Sequence, residues 1–478
     1  MSSLSALNSL LGSSGATDLS QILEAATGAS SPGIDVSSAV SASITAAEAP
    51  ETNWENEQTT LQDQTSALTS LQTDATNLDN DMQSLNSLTG PLSAATVTSS
   101  NTSVVTGSAV AGSAAGNNVV VVNSLASTAS FSSTAVTSAT TDLPTGETIT
   151  VTSPTGTPAT YTTGSNGINT LTDLENAINT GGLGVTASII TDATGSRLAI
   201  ISNTSGSAGS FTATVTGGGT AGTFGFVTGG SGTNSSITVN GIVIQSATNT
   251  VTGAIPGVTL NLVGTEPGTD ISVDVAPDTS QASSAINQFV SDYNTLIGAV
   301  NSQYSDSGSG QGVLADDPTL ENLQNTLLQA LDYTASPASG NTSTTVPNLS
   351  ALGVTMNTDG TLSLDNATLS SALQNNFSDV QNFFQGSALN GFANSMDQQL
   401  TNFTSPSDGA FTVDLQSIST ENTTLQTDIT NFQTNVIAPL KTQLTAEYSS
   451  AEIALQQLPA ELKDVDAELG ENNNSSSS

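Results

Sequence analysis

Two apolar stripes, one near each end of the chain, set the tightest limit on what this sequence can fold into. Trp54, Leu61, Leu68, Leu71, Ala75, Leu78, Met82 and Leu85 form the first, with Glu57 and Gln64 at intervening stripe positions. Leu415, Ile418, Leu425, Ile429, Phe432 and Val436 form the second, with Asn422 as its polar interruption. Leu440 and Leu444 continue it after a one-residue shift near Pro439. Alternating steps of three and four residues put each set on one seam of a helix, as helices wound together require. Gly90 and Pro91 stop the first stripe beyond Leu88. Pro439 predicts a kink or break, because a proline inside a helix removes a hydrogen bond and clashes with the preceding turn. An Asn on a seam fixes register at some cost in stability. The two seams are expected to form part of one helical stalk; the alternative is that each packs on its own local core.

Between the stripes the periodicity changes. Residues 97–275 contain short β-branched runs separated by Gly, Asn and Ser, among them Val119–Val122, Thr148–Thr152, Val185–Ile190, Arg197–Ile201, Ile237–Val239 and Val258–Val263. These read as strands and turns. One short helix is predicted at Leu171–Ile178, closed by Gly181–Gly182. Residues 206–232 approach low complexity, with Phe211, Phe224 and Phe226 as anchors. Helical patterning returns with Ile286, Phe289, Val290, Tyr293, Ile297 and Val300, then at Leu320–Leu331, Leu369–Phe384 and Leu389–Phe403. The expected fold is α+β: a discontinuous helical coiled-coil stalk built from both chain ends, with inserted β-rich head domains and flexible termini. Its parts are a flexible N-terminal assembly segment (1–45), the N-terminal part of the stalk (46–95), a β-rich head of two subdomains (96–275), a C-terminal helical region and stalk return (276–445), and a flexible C-terminal assembly segment (446–478). Inside the N-terminal segment a helix is expected after Gly33, capped by Asp35, with Val36, Val40, Ile44 and Ala47 on one face.

Charge narrows the function. The chain carries 41 acidic residues against three basic ones, Arg197, Lys441 and Lys463, for a net charge of −38. It cannot build the positive field that a phosphate backbone or an anionic lipid surface needs. Ion pairs cannot hold an assembly of such chains together; apolar seams and neutral hydrogen bonds must. Free carboxylates titrate near pH 4, so acidic surroundings would neutralise much of the charge. No run approaches the length of a membrane span, and Met1–Leu11 lacks the charged and apolar regions of a secretory signal.

Chemistry is scarce. With no His and no Cys, the chain lacks the usual general base, the commonest metal ligand, disulfides and thiolate zinc sites. Neither Lys441 nor Lys463 follows a Gly, so no phosphate-binding Gly-Lys loop exists. Asp270, Asp274 and Asp278 share a parity, and Asp316–Asp317 is a second acidic group, but neither matches an EF-hand ladder. They read as solvated acids at element ends. No catalytic, cofactor-binding or metal residue is assigned, and an enzyme is not expected.

The order of several motifs resembles the bacterial flagellar filament cap family, flagellar hook-associated protein 2. The N-terminal pieces are Gly33-Ile34-Asp35-Val36, Ala46-Ala47-Glu48-Ala49-Pro50, Thr98-Ser99-Ser100-Asn101 and Val119–Leu125. Residues 145–215 resemble an insert found in hook and filament proteins, through Leu171-Thr172-Asp173-Leu174, Ile178-Asn179 and Val185-Thr186-Ala187. Further matches are Ile237-Thr238-Val239-Asn240-Gly241, Ile255–Leu260, Tyr293-Asn294, Gly312–Asp317, Leu352-Gly353-Val354, Asp359–Asp365 and the final seam. The chain departs from the family in its three cations and in a long Ser/Gly-rich lead before Gly33. The resemblance implies a cap at the distal end of the filament that promotes insertion of exported flagellin without chemical catalysis or a cofactor. It implies a homo-oligomeric ring of about five or six subunits, and flagellin, a hook–filament junction protein and an export chaperone as partners. It also implies an extracellular position at the filament tip, reached by the flagellar type III route. The alternatives are another axial component, such as a junction protein or flagellin itself, and a surface adhesin.

Overall fold

The computed structural model describes residues 35–217, 224–305, 310–337 and 344–474. The Ser/Gly-rich lead before Asp35, with Met1–Leu11, lies outside them. The chain divides into two compact units. One is built from residues up to Asp79, Asn294–Gln329 and Gln398 onward; the other from Asn80–Tyr293 and Ala330–Asp397.

The first unit is helical. It holds α1 (Val36–Ala47), most of α2 (Ala49–Asn86), the end of α4 (Thr279–Tyr304) and α5 (Pro318–Ala330). It also holds the end of α8 (Phe392–Thr404), α9 (Ala410–Phe432), a π-turn (Gln433–Ile437) and α10 (Ala438–Asn474). Leu61, Leu68, Leu71, Ala75, Leu78, Leu296, Ile297, Val300, Leu320, Leu323 and Leu327 are buried in it. Thr319 donates to Asp414 at 2.6 Å, and Gln64 donates to the Val313 carbonyl at 3.1 Å, fixing α5 and its approach loop on α9 and α2.

The second unit carries all the β structure. A five-stranded antiparallel sheet has the order β1 (Ala95–Ser99), β15 (Ile271–Pro277), β3 (Gly116–Ser124), β11 (Ser235–Val239), β12 (Ile242–Ser246). It shares one core with a three-stranded sheet of β13 (Thr250–Ile255), β14 (Val258–Leu262) and β2 (Val105–Ala109). Alternation explains the burial: Ile271, Val273 and Val275 all point inward from β15. β3 and β11 are hydrogen-bonded neighbours, yet over a hundred residues of chain separate them. That connection is a second lobe. Its sheets run β10 (Phe226–Gly230), β4 (Thr128–Ser133), β8 (Gly195–Ser205), β7 (Val185–Asp192), and β6 (Pro158–Thr162), β5 (Glu147–Thr152), β9 (Thr212–Gly217). Helix α3 (Leu171–Thr180) completes the lobe, starting on a capping box between Thr170 and Asp173. Its core runs from Ala129 to Phe224 in sequence. The insert is therefore wider than 145–215, because β4 and β10 flank it and pair with each other. Both are too rich in Ser and Gly to stand out by composition.

The rest of this unit holds a two-stranded antiparallel ribbon, Val354–Met356 with Leu362–Leu364, and a helical pack of α6 (Asn366–Asn375), α7 (Phe377–Gln385) and the start of α8 around an aromatic cluster. Phe383 and Phe392 stack at 5.3 Å, and Phe289 meets Phe392 edge-on at 5.7 Å. The helical run expected over Leu369–Phe384 is broken at Asn376, whose φ of −137° is not helical. The turn after α2 folds back so closely that Gly90 is required there: a Cβ would sit 2.1 Å from the Ser84 carbonyl oxygen. The acids singled out by sequence lie at element ends or in the sheet. Asp278 accepts from the Ser280 and Gln281 amides at the start of α4, Asp317 accepts from Thr319 N, and Asp274 sits between Thr98 and Asn117 in the sheet.

One acidic contact sets a pH dependence. Burial first, and the neighbouring Asp292 carboxylate second, push Asp81 up to about 7. A carboxyl raised in the folded state contributes stability that is full below its ordinary value and is lost as pH rises through the folded one. The capping acids Asp35, Asp173 and Asp365 are held low by hydrogen bonds and have the opposite sign: their contribution is lost as pH falls below the ordinary range. Asp81→Asn is expected to raise the urea midpoint at pH 8 and leave it nearly unchanged at pH 4. Equal effects at both pH values would contradict a carboxyl raised by burial and by Asp292.

Candidate assembly surface

The two stripes meet in the helical unit. Gln72 donates to Thr412 Oγ1 at 3.4 Å, Gln58 to the Asn422 carbonyl at 3.4 Å and to Gln426 Oε1 at 3.5 Å, and Gln433 donates to Glu51. Partner numbers rise on one side as they fall on the other, so α2 and α9 run antiparallel. Trp54 sets its ring edge-on to Phe432, with centroids 5.5 Å apart and planes at 88°. Such an aromatic pair adds about 0.5–1.5 kcal/mol beyond its buried area. Every one of these contacts is neutral–neutral apart from the Glu51 carboxylate. In a chain with three cations, glutamine and threonine do the work that Lys–Glu pairs do at ordinary helix seams.

The sequence-selected seam residues fall into three groups. Leu61, Leu68, Leu71, Leu78, Met82, Leu85, Leu425, Ile429 and Leu444 are buried. Trp54, Leu415, Ile418, Phe432 and Leu440 are half-buried. Val436 is 43% exposed, and Ile437 next to it is buried. The cause is the π-turn Gln433–Ile437, in which the Ala438 amide bonds to the Gln433 carbonyl five residues back. A π-turn holds one residue more than an α-turn. Inward positions therefore step by five, from Phe432 to Ile437, before the normal spacing resumes at Leu440 and Leu444.

The same turn replaces the break expected at Pro439. Proline has no amide hydrogen to offer the carbonyl four residues back, and its ring crowds that carbonyl. Widening the turn just before it moves the obstruction aside, and the helix continues. Beyond it, the segment 446–478, expected to be flexible, is helical as far as Asn474. The reason is its run of Ala, Glu, Leu and Gln, all strong helix formers.

Helix α1 completes the surface, within the stretch 1–45 expected to be flexible. Asp35 caps it, accepting from the Ser38 amide at 3.1 Å and the Ser38 hydroxyl at 2.7 Å. Val40, Ile44 and Ala47 then pack on Ile437 and Leu444, with Val36, Phe432, Leu440 and Tyr448 around them. Sequence reading found the apolar face of α1 and missed its partner, because the partner face exists only after the π-turn has shifted the phase. Val413, Val436, Ile453 and Leu455 remain exposed on α9, the π-turn and α10.

Residues 32–129 match the family profile described as the N-terminus of flagellar hook-associated protein 2, and residues 232–460 match its C-terminus. Together the matches span more than half of the chain, and the stretch between them is the second β lobe. The B-type flagellar hook-associated protein 2 of Pseudomonas aeruginosa is 28% identical over 403 residues, covering 74% of this chain and 79% of that protein. The Salmonella typhimurium flagellar hook-associated protein 2 is 27% identical over 324 residues, covering 64% of each. Among solved structures, three domains of the flagellar cap protein from Escherichia coli superpose with a TM-score of 0.58 at 26% identity, covering 74% of this chain and 99% of that one.

The phase shift is open to test. Ile437→Ala is expected to cost about 2–5 kcal/mol in chemical denaturation, and Val436→Ala under about 0.5 kcal/mol. The reverse ranking would place the seam on the unshifted register.

Proposed function

The chain belongs to the flagellar hook-associated protein 2 family of flagellar cap proteins, and on that premise we propose that it caps the growing filament and promotes insertion of exported flagellin. The observation that carries this reading is the antiparallel seam. It ties two segments near the chain ends into one helical body, while the β-rich lobes form from Ala95–Pro277 between them. A cap of this kind works by binding and release, with no covalent chemistry asked of a chain that has no His and no Cys.

In this reading the protein acts as a homo-oligomeric ring at the filament tip, outside the cell, delivered by the flagellar type III route with an export chaperone. Flagellin and a hook–filament junction protein are its neighbours. The apolar residues left exposed along α9 and α10 supply contacts to them. Such contacts are shallow and mostly unassisted by charge, so they can be made and broken as the cap moves with each added subunit. The scarcity of cations fits this: an exposed ion pair adds little and varies with salt, whereas apolar contacts persist in changing media.

The test is genetic. A strain lacking this gene is expected to release unpolymerised flagellin into the medium and to be non-motile. A gene carrying Leu425→Asp and Ile429→Asp should yield a protein that fails to restore filaments. Normal filaments in the deletion strain would overturn the cap reading.

A further inference from the structure

We propose that the free edge of strand β12 is a contact surface between copies of this chain. The proposal rests on the ring reading above and assigns it a site. β12 is the last strand of the five-stranded sheet, beyond β11, and among the described residues no strand pairs with its outer side. Its residues run Ile242-Val243-Ile244. Ile242 pairs with Val239 and Val243 with Thr238, so they lie on opposite faces. Both are about two-thirds exposed, at 67% and 65%.

Edge strands are aggregation hazards, and monomeric proteins protect them with a Lys, a Pro, a bulge or a covering element. β12 contains no Lys and no Pro, and its pairing carries no bulge. Its register with β11 is regular from Ser235–Ser246 to Val239–Ile242, and the turn before it, Asn240-Gly241, has φ of 49° and 83°, as a tight hairpin requires. An edge that is regular in register, uncharged and exposes an apolar side chain on each face is built to be covered.

Charge identifies what covers it. Two copies each carrying a net charge of −38 repel, and they have almost no cations with which to compensate. They can approach only where charge is missing. No charged residue occurs from Met82 to Thr141 or from Leu198 to Thr265, stretches that supply every strand of this lobe except β15. Asp270, Asp274 and Asp278 flank or occupy β15, three strands away from β12 and so roughly 14 Å across the sheet, and Glu266, whose amide bonds the Val122 carbonyl of β3, lies two strands away, roughly 10 Å. Both distances exceed the screening length of about 8 Å at physiological salt. The β12 edge is therefore apolar, unprotected and distant from the lobe's own acids, which suits a second copy of the same acidic chain. A cationic partner would gain nothing there.

The experiment uses the purified full chain. Sedimentation across a concentration series is compared for the wild type, for the double variant Ile242→Glu with Val243→Glu, and for Ile190→Glu, an exposed apolar position on β7 in the other lobe. The double variant is expected to weaken self-association at least tenfold with an unchanged melting temperature, and Ile190→Glu to behave as wild type. Because the chain has no Cys, Val243→Cys also accepts a single environment-sensitive fluorophore, whose emission should shift to the blue as the wild-type-like oligomer forms. If the double variant assembles normally, or the fluorophore reports no change on assembly, the β12 assignment is wrong and the ring reading stands. A wild type that stays monomeric at every concentration overturns the ring reading and this assignment with it.

Discussion

The antiparallel seam between α2 and α9 is the contact on which the rest of this molecule depends. It joins segments more than three hundred residues apart, and it turns a chain of separate elements into a helical body with a head inserted between its strands of sequence. Its strength comes from buried Leu and Ile, from the Trp54–Phe432 pair and from side-chain hydrogen bonds donated by Gln58 and Gln72. Net hydrogen bonds of this neutral kind contribute about 1 kcal/mol each, while a buried Leu contributes about 1.5–3 kcal/mol. The apolar stripe therefore decides stability, and the polar contacts decide register.

The acidic residues play a different part. Many serve as local caps and turn locks: Asp35, Asp173 and Asp365 at helix starts, Asp192 and Asp359 in turns closed by Thr194 and Thr361. Each uses a carboxylate to satisfy amides that would otherwise lack partners. Acids placed this way do not need cations, which is how a chain with three basic residues can hold 41 acidic ones and still fold. Asp81 is placed differently: burial first, and the Asp292 carboxylate second, push its carboxyl up to about 7.

Much of this was legible in the sequence. The 3,4 spacing located both seam helices, and β-branched runs located β3, β5, β7, β8, β11 and β14. The Leu171–Ile178 helix was readable from its apolar face, and the structure adds its Thr170 cap. What sequence reading missed has physical causes. The shift from Val436 to Ile437 depends on hydrogen-bond geometry at a π-turn, and Pro439 signals only that something must give way there. Strands β4 and β10 are polar and Gly-rich, so they became strands through pairing with each other and with β8, which no local pattern reveals. The helix that continues to Asn474 runs through Pro459 and Gly470, so its stretches of Ala, Glu and Leu outweigh two helix breakers as well as the expectation of a flexible tail.

Trp54 is the single tryptophan of the chain and sits in the seam against Phe432, so its fluorescence reports on that contact alone. The most direct measurement is urea unfolding followed by Trp54 emission at low salt and in 1 M NaCl, with Phe432→Ala alongside. An apolar seam predicts an emission shift and a lower midpoint in Phe432→Ala, and a wild-type midpoint in 1 M NaCl that is unchanged or higher. A midpoint that falls in salt, or a Trp54 emission that ignores Phe432, would contradict it.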